Sequence, residues 1–260
     1  MLAYYIISFV YGAAIGSFVQ VVATRLNVAP IMKTRSKCLS CGEALRVSDL
    51  VPVLSYVFLR GKCRYCKSPY GIQALFVEIA FGIVFALTYH FIIQGTFGLT
   101  AFAWFLYYTV LFVSLGVIGL YDYRHSYVPT VYLSLFSVLS VGMLLIRYAY
   151  DPSHAVLLGP LVVALPFLLI WLATKGRALG LGDVILFAAV GAFFGIEQGM
   201  SVLLLSVWMG AIVGVITYVQ RKRRNVLGTA IPFVPFIVAA FIIVLFTDIS
   251  VFSIASLFSW

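Results

Sequence analysis

Charge is what this chain has least of. Of its 260 residues only 10% are Asp, Glu, Lys or Arg, 63% are hydrophobic, and the mean hydropathy is +1.11. That balance excludes a soluble domain of this length, whose surface would have to be built largely from the residues of its core. Acidic residues are scarcest: eight Asp and Glu stand against 17 Lys and Arg, for a net charge of +9. The three histidines, His90, His125 and His154, are scattered with no metal-ligand spacing, which argues against a histidine-held metal centre. No Rossmann-type unit of the kind used by many methyltransferases is present. The basic residues form no independent domain, so nucleic acid is not the expected partner.

What is abundant is apolar sequence in long runs. They cover about 2–24, 72–94, 97–121, 129–146, 154–174, 183–196, 199–219 and 231–247. Runs of this length read as membrane-spanning helices. The expectation is an all-α polytopic membrane protein with about eight spans, the short 183–196 run being tilted or re-entrant. The first run is too long for a signal-peptide core and lacks a basic stretch before it, so a retained anchor is expected. The predicted organisation is a first span over 1–24, a cytosolic loop over 25–71 and a membrane core over 72–260.

The basic residues orient these spans. Arg25, Lys33, Arg35, Lys37, Arg46, Arg60, Lys62, Arg64 and Lys67 lie between the first two runs. Arg124, then Lys175 and Arg177, then Arg221, Lys222, Arg223 and Arg224 occupy later loops on the same side, and only Arg147 falls on the other. The positive-inside rule makes the first side cytosolic and places both termini outside. The net charge is then an orientation and headgroup signal, with membrane lipid as partner.

This orientation gives two acids a common address. Asp122, in Tyr121-Asp122-Tyr123, ends the third run, and Asp183, closing Gly180-Leu181-Gly182-Asp183, opens the sixth. A carboxylate at the end of a span is costly and needs a reason. Two of them at one depth could share a proton and activate a water. Spacing alone leaves a second reading open, in which each acid caps a helix or pairs with a loop cation. Gly180 and Gly182 suit close approach of another helix or of a substrate strand. Glu78, some six residues into the second run, also needs a partner, either a loop cation or a functional one. His125 is close enough in sequence to tune Asp122, or is a solvated loop residue.

All four cysteines fall in the 25–71 loop, as Cys38-x-x-Cys41 and Cys63-x-x-Cys66. Two such pairs, 21 residues apart, have the spacing of a four-thiolate zinc knuckle. Disulfides are the alternative, and a cytosolic loop disfavours them. Four thiolates leave no open coordination position, so the predicted Zn2+ is structural, and it stabilises a loop too small to build its own core.

Taken together, these motifs resemble the bacterial prepilin peptidase family, membrane aspartic proteases with a Gly-x-Gly-Asp motif. The resemblance runs from Gly16-Ser17-Phe18 and Arg25-Leu26 through Arg35-Ser36-x-Cys38, Pro52-Val53-Leu54-Ser55-Tyr56, Cys63-Arg64-Tyr65-Cys66 and Glu78. It continues through Asp122 with Pro129, Gly180-x-Gly182-Asp183, Gly191-Ala192-Phe193-Phe194-Gly195 and Ile231-Pro232-Phe233-x-Pro235-Phe236. The chain has Gln20 where the family usually has Asn, Ile185 where it usually has Lys, and Val234 where it usually has Gly.

The resemblance implies an endopeptidase of the bacterial cytoplasmic membrane. Its catalytic pair would be Asp122 and Asp183, and its substrates the basic leaders of type IV prepilins or pseudopilins, cut at the cytosolic face just before the pilin's hydrophobic helix. It also implies, for many members, methylation of the new N-terminus with S-adenosylmethionine; the absent Lys at 185 bears on that second activity. Two other function classes fit parts of the sequence. An ion or proton transporter would use the acids as a coupling site, and a non-catalytic scaffold would use the cysteine loop to bind a partner.

Overall fold

The computed structural model describes residues 2–28, 36–38, 40–177, 179–223, 232–248 and 250. Lys33, Arg35, Arg224 and Ile231, used above for charge and motif, lie outside them. The described chain is helical throughout: α1 (Leu2–Arg25), α2 (Leu54–Phe58), α3 (Gln73–Thr88), α4 (Gly98–His125), α5 (Thr130–Tyr150), α6 (His154–Thr174), α7 (Leu181–Arg223) and α8 (Val234–Thr247). A π turn, Tyr89–Ile93, prolongs α3, and a 3-10 turn spans Val47–Asp49. The cysteine loop adds two isolated antiparallel bridges, Lys37 with Ala44 and Lys62 with Pro69.

Among the described residues six helices are long and apolar enough to cross a membrane: α1, α3 with its π turn, α4, α5, α6 and α7; the apolar α8 is shorter. The sixth and seventh sequence runs are the two limbs of α7, separated without an intervening loop at Gly195, whose backbone (φ 78°, ψ −164°) is far from helical. A Cβ built on Gly199 would lie 3.4 Å from the Gly191 Cα. Residues eight apart in a straight helix are separated by about 12 Å along the axis, so the chain doubles back at Gly195. All eight apolar runs are thus present as helical segments.

The chain divides into two units, residues 1–113 and 114–260. In the first, α1 packs along α3 through small residues. A Cβ on Gly82 would come within 2.6 Å of the Phe9 ring, and one on Gly16 within 3.0 Å of the Val77 carbonyl oxygen. Without hydrophobic drive between helices in lipid, such close approach is what holds them. Rings of Tyr11, Phe85, Phe105 and Phe112 fill the adjoining space, with Tyr11 and Phe105 centroids 4.8 Å apart. Gln20 Nε2 donates to the Ala74 carbonyl oxygen across the pair, 3.1 Å.

In the second unit α7 packs on α5, α6 and α8. The α6–α7 crossing is made by glycines: a Cβ on Gly159 would sit 2.6 Å from the Gly191 carbonyl oxygen and 3.0 Å from the Gly195 Cα. Doubling back at Gly195 leaves end carbonyls of the first limb without intrahelical partners. Arg147, the one basic residue assigned to the far side, meets this need. Its Nη1 donates to the Phe193 carbonyl oxygen at 3.0 Å. Gln198 Nε2 donates to Asp248 Oδ1 at the same end, 3.1 Å. Phe136, Phe193, Phe194 and Phe241 pack into the core above.

Candidate functional site

The opposite end of the second unit collects the acids. α4 remains apolar to Leu120 and closes one turn later, where the Ser126 N–H donates to the Asp122 carbonyl oxygen, 2.7 Å. Asp122 is buried, 6% exposed. Its Oδ2 accepts the N–H of Val234, the first residue of α8, at 3.2 Å. First-turn N–H groups have no intrahelical acceptor, and the helix dipole favours an anion there. Pro235 stands in that first turn, where its missing N–H costs nothing.

Asp183 lies in the first turn of α7 and is partly exposed. Its N–H donates to the Gly180 carbonyl oxygen, 3.2 Å. The two carboxylates are within electrostatic reach of each other. Gly182 and Gly180 differ in their surroundings. A Cβ on Gly182 would meet the Val128 Cβ at 3.0 Å, so the glycine lets α7 close on the 126–129 turn that follows α4. A Cβ on Gly180 would reach Asp183 Oδ2 only at 3.6 Å, an ordinary contact. His125 packs against Tyr121 with the rings tilted by 35° and centroids 4.4 Å apart.

Glu78 belongs to the first unit. It is buried, and its Oε2 accepts the Val53 N–H at 2.8 Å. The loop partner foreseen for it is therefore a backbone donor rather than a cation.

The cysteine loop folds as two turns. Gly42 N–H bonds to the Cys38 carbonyl oxygen and Cys63 N–H to that of Ser68, at 2.9 and 2.8 Å. Gly42 and Gly61 take positive φ, 74° and 67°, which suits glycine. Cys38, Cys41, Cys63 and Cys66 are unbridged, and their sulfurs all lie within 4.8 Å of one another. Cys38 and Cys66 Sγ are 3.8 Å apart, matching the separation of about 3.8 Å between sulfurs held tetrahedrally 2.3 Å from one ion. The donor set therefore fits a metal ion.

Backbone N–H groups of Cys41 and Ser40 bring the Cys38 thiol down to about 6. At Cys41 the Glu43 N–H favours the thiolate, but desolvation and the sulfurs of Cys66 and Cys38 outweigh it and hold that thiol up at about 11. A cation bound among the sulfurs would relieve that opposition at Cys41. Asp49 ties the turns together by accepting Arg64 Nε at 2.7 Å and the Arg46 N–H at 3.1 Å. Burial works against its charged form, yet Arg64 and Arg46 hold the carboxyl below its usual range.

Sequence reasoning missed Val234, Val128, Arg147 and Asp49. The proline pair around Phe233 signals a helix start, and a lone basic residue inside an apolar run signals a buried acceptor. Nothing in the sequence links either to its partner.

Residues 10–92 match the Bacterial Peptidase A24 N-terminal domain, and residues 109–215 the Type IV leader peptidase family. A prepilin leader peptidase/N-methyltransferase of Burkholderia pseudomallei is 30% identical over 262 residues, 88% of this chain and 81% of that protein. The chain belongs to the type IV leader peptidase family. Proteins of the same name from Myxococcus xanthus and Pseudomonas putida are 31% and 29% identical, over 84% and 95% of this chain. The match spans 92% of the Pseudomonas protein but 64% of the Myxococcus one, a little under two thirds. No solved structure matches. Both aspartates fall in the segment matched by the peptidase family, and Glu78 and all four cysteines in the one matched by the N-terminal domain.

Proposed function

We propose that this protein is an aspartic endopeptidase that removes the leader of type IV prepilins or pseudopilins at the cytosolic face of the bacterial cytoplasmic membrane. What supports this reading is that the carboxylates of Asp122 and Asp183, from separate helices, lie within electrostatic reach of each other at one end of the second unit. Two like charges so placed share a proton. The ionised member takes a proton from water as its oxygen adds to the scissile carbonyl carbon. The protonated member gives its proton to the carbonyl oxygen, which completes a gem-diol. On collapse the C–N bond breaks, the first acid gives its proton to the leaving amine, and the second takes a proton back from the gem-diol hydroxyl. The pair is then restored with one proton between the two acids. The Val234 N–H fixes the Asp122 carboxylate, and Gly182 lets Asp183 approach it.

Purified protein should cleave a prepilin, and Asp122→Asn and Asp183→Asn should each lose nearly all of that activity while remaining folded. Substantial cleavage by folded Asp183→Asn would return the scaffold reading to first place. For orientation, an impermeant thiol reagent added to intact cells should label Gln94→Cys and spare Gln220→Cys; the reverse would put the acids on the wrong face.

We assign the four cysteines, in a loop subdomain spanning residues 25–71, to a structural Zn2+. Elemental analysis should find about one zinc per chain, and Cys63→Ser should lose the metal and digest faster within the loop. Methylation with S-adenosylmethionine is a separate proposal taken from the relatives' names. The described residues define no site fitted to that cofactor, and Ile185 offers no charge for it, so no step is routed through it. Radiolabel transfer from S-adenosylmethionine to cleaved prepilin tests it.

A further inference from the structure

The hydrogen bond between Val53 and Glu78 fixes a depth. α3 with its π turn runs Gln73–Ile93, 21 residues, or about 31 Å, the thickness of a bilayer's hydrocarbon core. Gln73 therefore stands near the edge of that core, and Glu78 lies about 7.5 Å further along the helix axis. Val53 is held there with it, 2.8 Å from Glu78 Oε2. The residue takes a left-handed backbone (φ 62°, ψ −52°), unusual for a β-branched side chain, and α2 starts immediately after it.

A segment at this depth can present apolar groups to lipid rather than to protein, and this one leaves them uncovered. Leu54, Val57 and Phe58 on α2 are 54%, 60% and 81% exposed, and Val47, Leu50 and Val51 just before them are also exposed. Arg46, Arg60 and Lys62 flank the stretch, all exposed. An apolar ridge with basic residues at both ends, tethered between two spans, has the character of an interfacial element.

We propose that residues 47–58 are a wedge seated in the cytosolic leaflet. Its apolar ridge enters the acyl region, while Arg46, Arg60 and Lys62 hold anionic phospholipid headgroups. Charge favours lipid over a substrate leader, because a basic peptide would be repelled by the same three residues. The wedge anchors the cysteine loop to the membrane surface at a set height, with Glu78 as its inner attachment. This inference rests on the chain being a membrane protein and not on its cleaving prepilins.

The test places the photocrosslinker p-benzoylphenylalanine at position 58 of the full-length protein. The protein is reconstituted into phosphatidylcholine vesicles with or without phosphatidylglycerol, and zinc content equal to wild type reports a folded loop. A phospholipid adduct at position 58 is expected without any prepilin present. Its yield should fall roughly five-fold or more when phosphatidylglycerol is omitted, or when Arg46→Gln, Arg60→Gln and Lys62→Gln are combined. Crosslinks to this chain, to a second copy or to an added prepilin in place of lipid would overturn the proposal, as would absence of any adduct. Equal yields in both vesicles would overturn the headgroup assignment.

Discussion

Glu78 and Asp122 face the same physical problem and solve half of it in the same way. Each is a buried carboxylate on a membrane helix, and each accepts a backbone N–H at the start of another helix, from Val53 and Val234 respectively. A buried charge without such a donor would be prohibitive. The difference is Asp183, which brings a second carboxylate to Asp122. Under the proposed function, Glu78 is an anchor and Asp122 shares a proton with its neighbour. Depth in the membrane, the property that first draws attention to all three, does not distinguish these roles.

The sharpest way to break this comparison is to remove one oxygen's charge from each. Asp122→Asn and Asp183→Asn should lower prepilin cleavage by roughly a thousand-fold or more, with the double variant little worse than either, since one water needs both groups. Glu78→Gln keeps an acceptor for the Val53 N–H and should leave turnover within a few-fold of wild type. Equal losses in all three would place Glu78 in the chemistry.

A smaller effect is expected at the far end of the second unit, where Arg147 does for carbonyls what the acids do for N–H groups. Arg147→Met strands the Phe193 carbonyl oxygen and should cost about 1–3 kcal/mol of stability. Gly195→Ala must take a left-handed backbone and meets Arg147 Nη2 at 2.9 Å. It should cost a similar roughly 1–3 kcal/mol. Both should unfold at lower temperature yet cleave normally while folded. Loss of cleavage at full stability would tie the Gly195 reversal to the acids at the other end of the limb.

The gentlest prediction concerns protons on the cysteine loop. Cys41, held up at about 11, is protonated at neutral pH, so an ion that binds its thiolate must displace that proton. Zinc affinity should therefore rise with pH through the neutral range and fall with acid. Calorimetric titration in buffers of different ionisation enthalpy should show proton release on binding. Buffer-independent heats would mean that all four thiols were already ionised without the metal.

Much of this was legible in advance. The eight apolar runs are readable because a bilayer requires long uncharged segments. Asp122, Asp183, Glu78 and the four cysteines stand out because each residue type is expensive or purposeful where it occurs. The break between the sixth and seventh runs is also readable, since Glu197 and Gln198 interrupt the apolar sequence there. That the chain turns back on itself at Gly195 is not, and only the approach of Gly199 to Gly191 reveals it.

The sequence alone thus decided that this chain lives in a membrane and which side chains could carry chemistry. Those properties depend on solvent, and a residue's affinity for lipid or water travels with it wherever the chain folds. What each acid meets was decided by tertiary structure. It depends on the Val53 and Val234 N–H groups, on the space left by Gly182, and on the carbonyl that Arg147 satisfies. Hydrogen bonds and charge repulsion act over a few ångströms between residues far apart in sequence, so their partners exist only once the helices have packed.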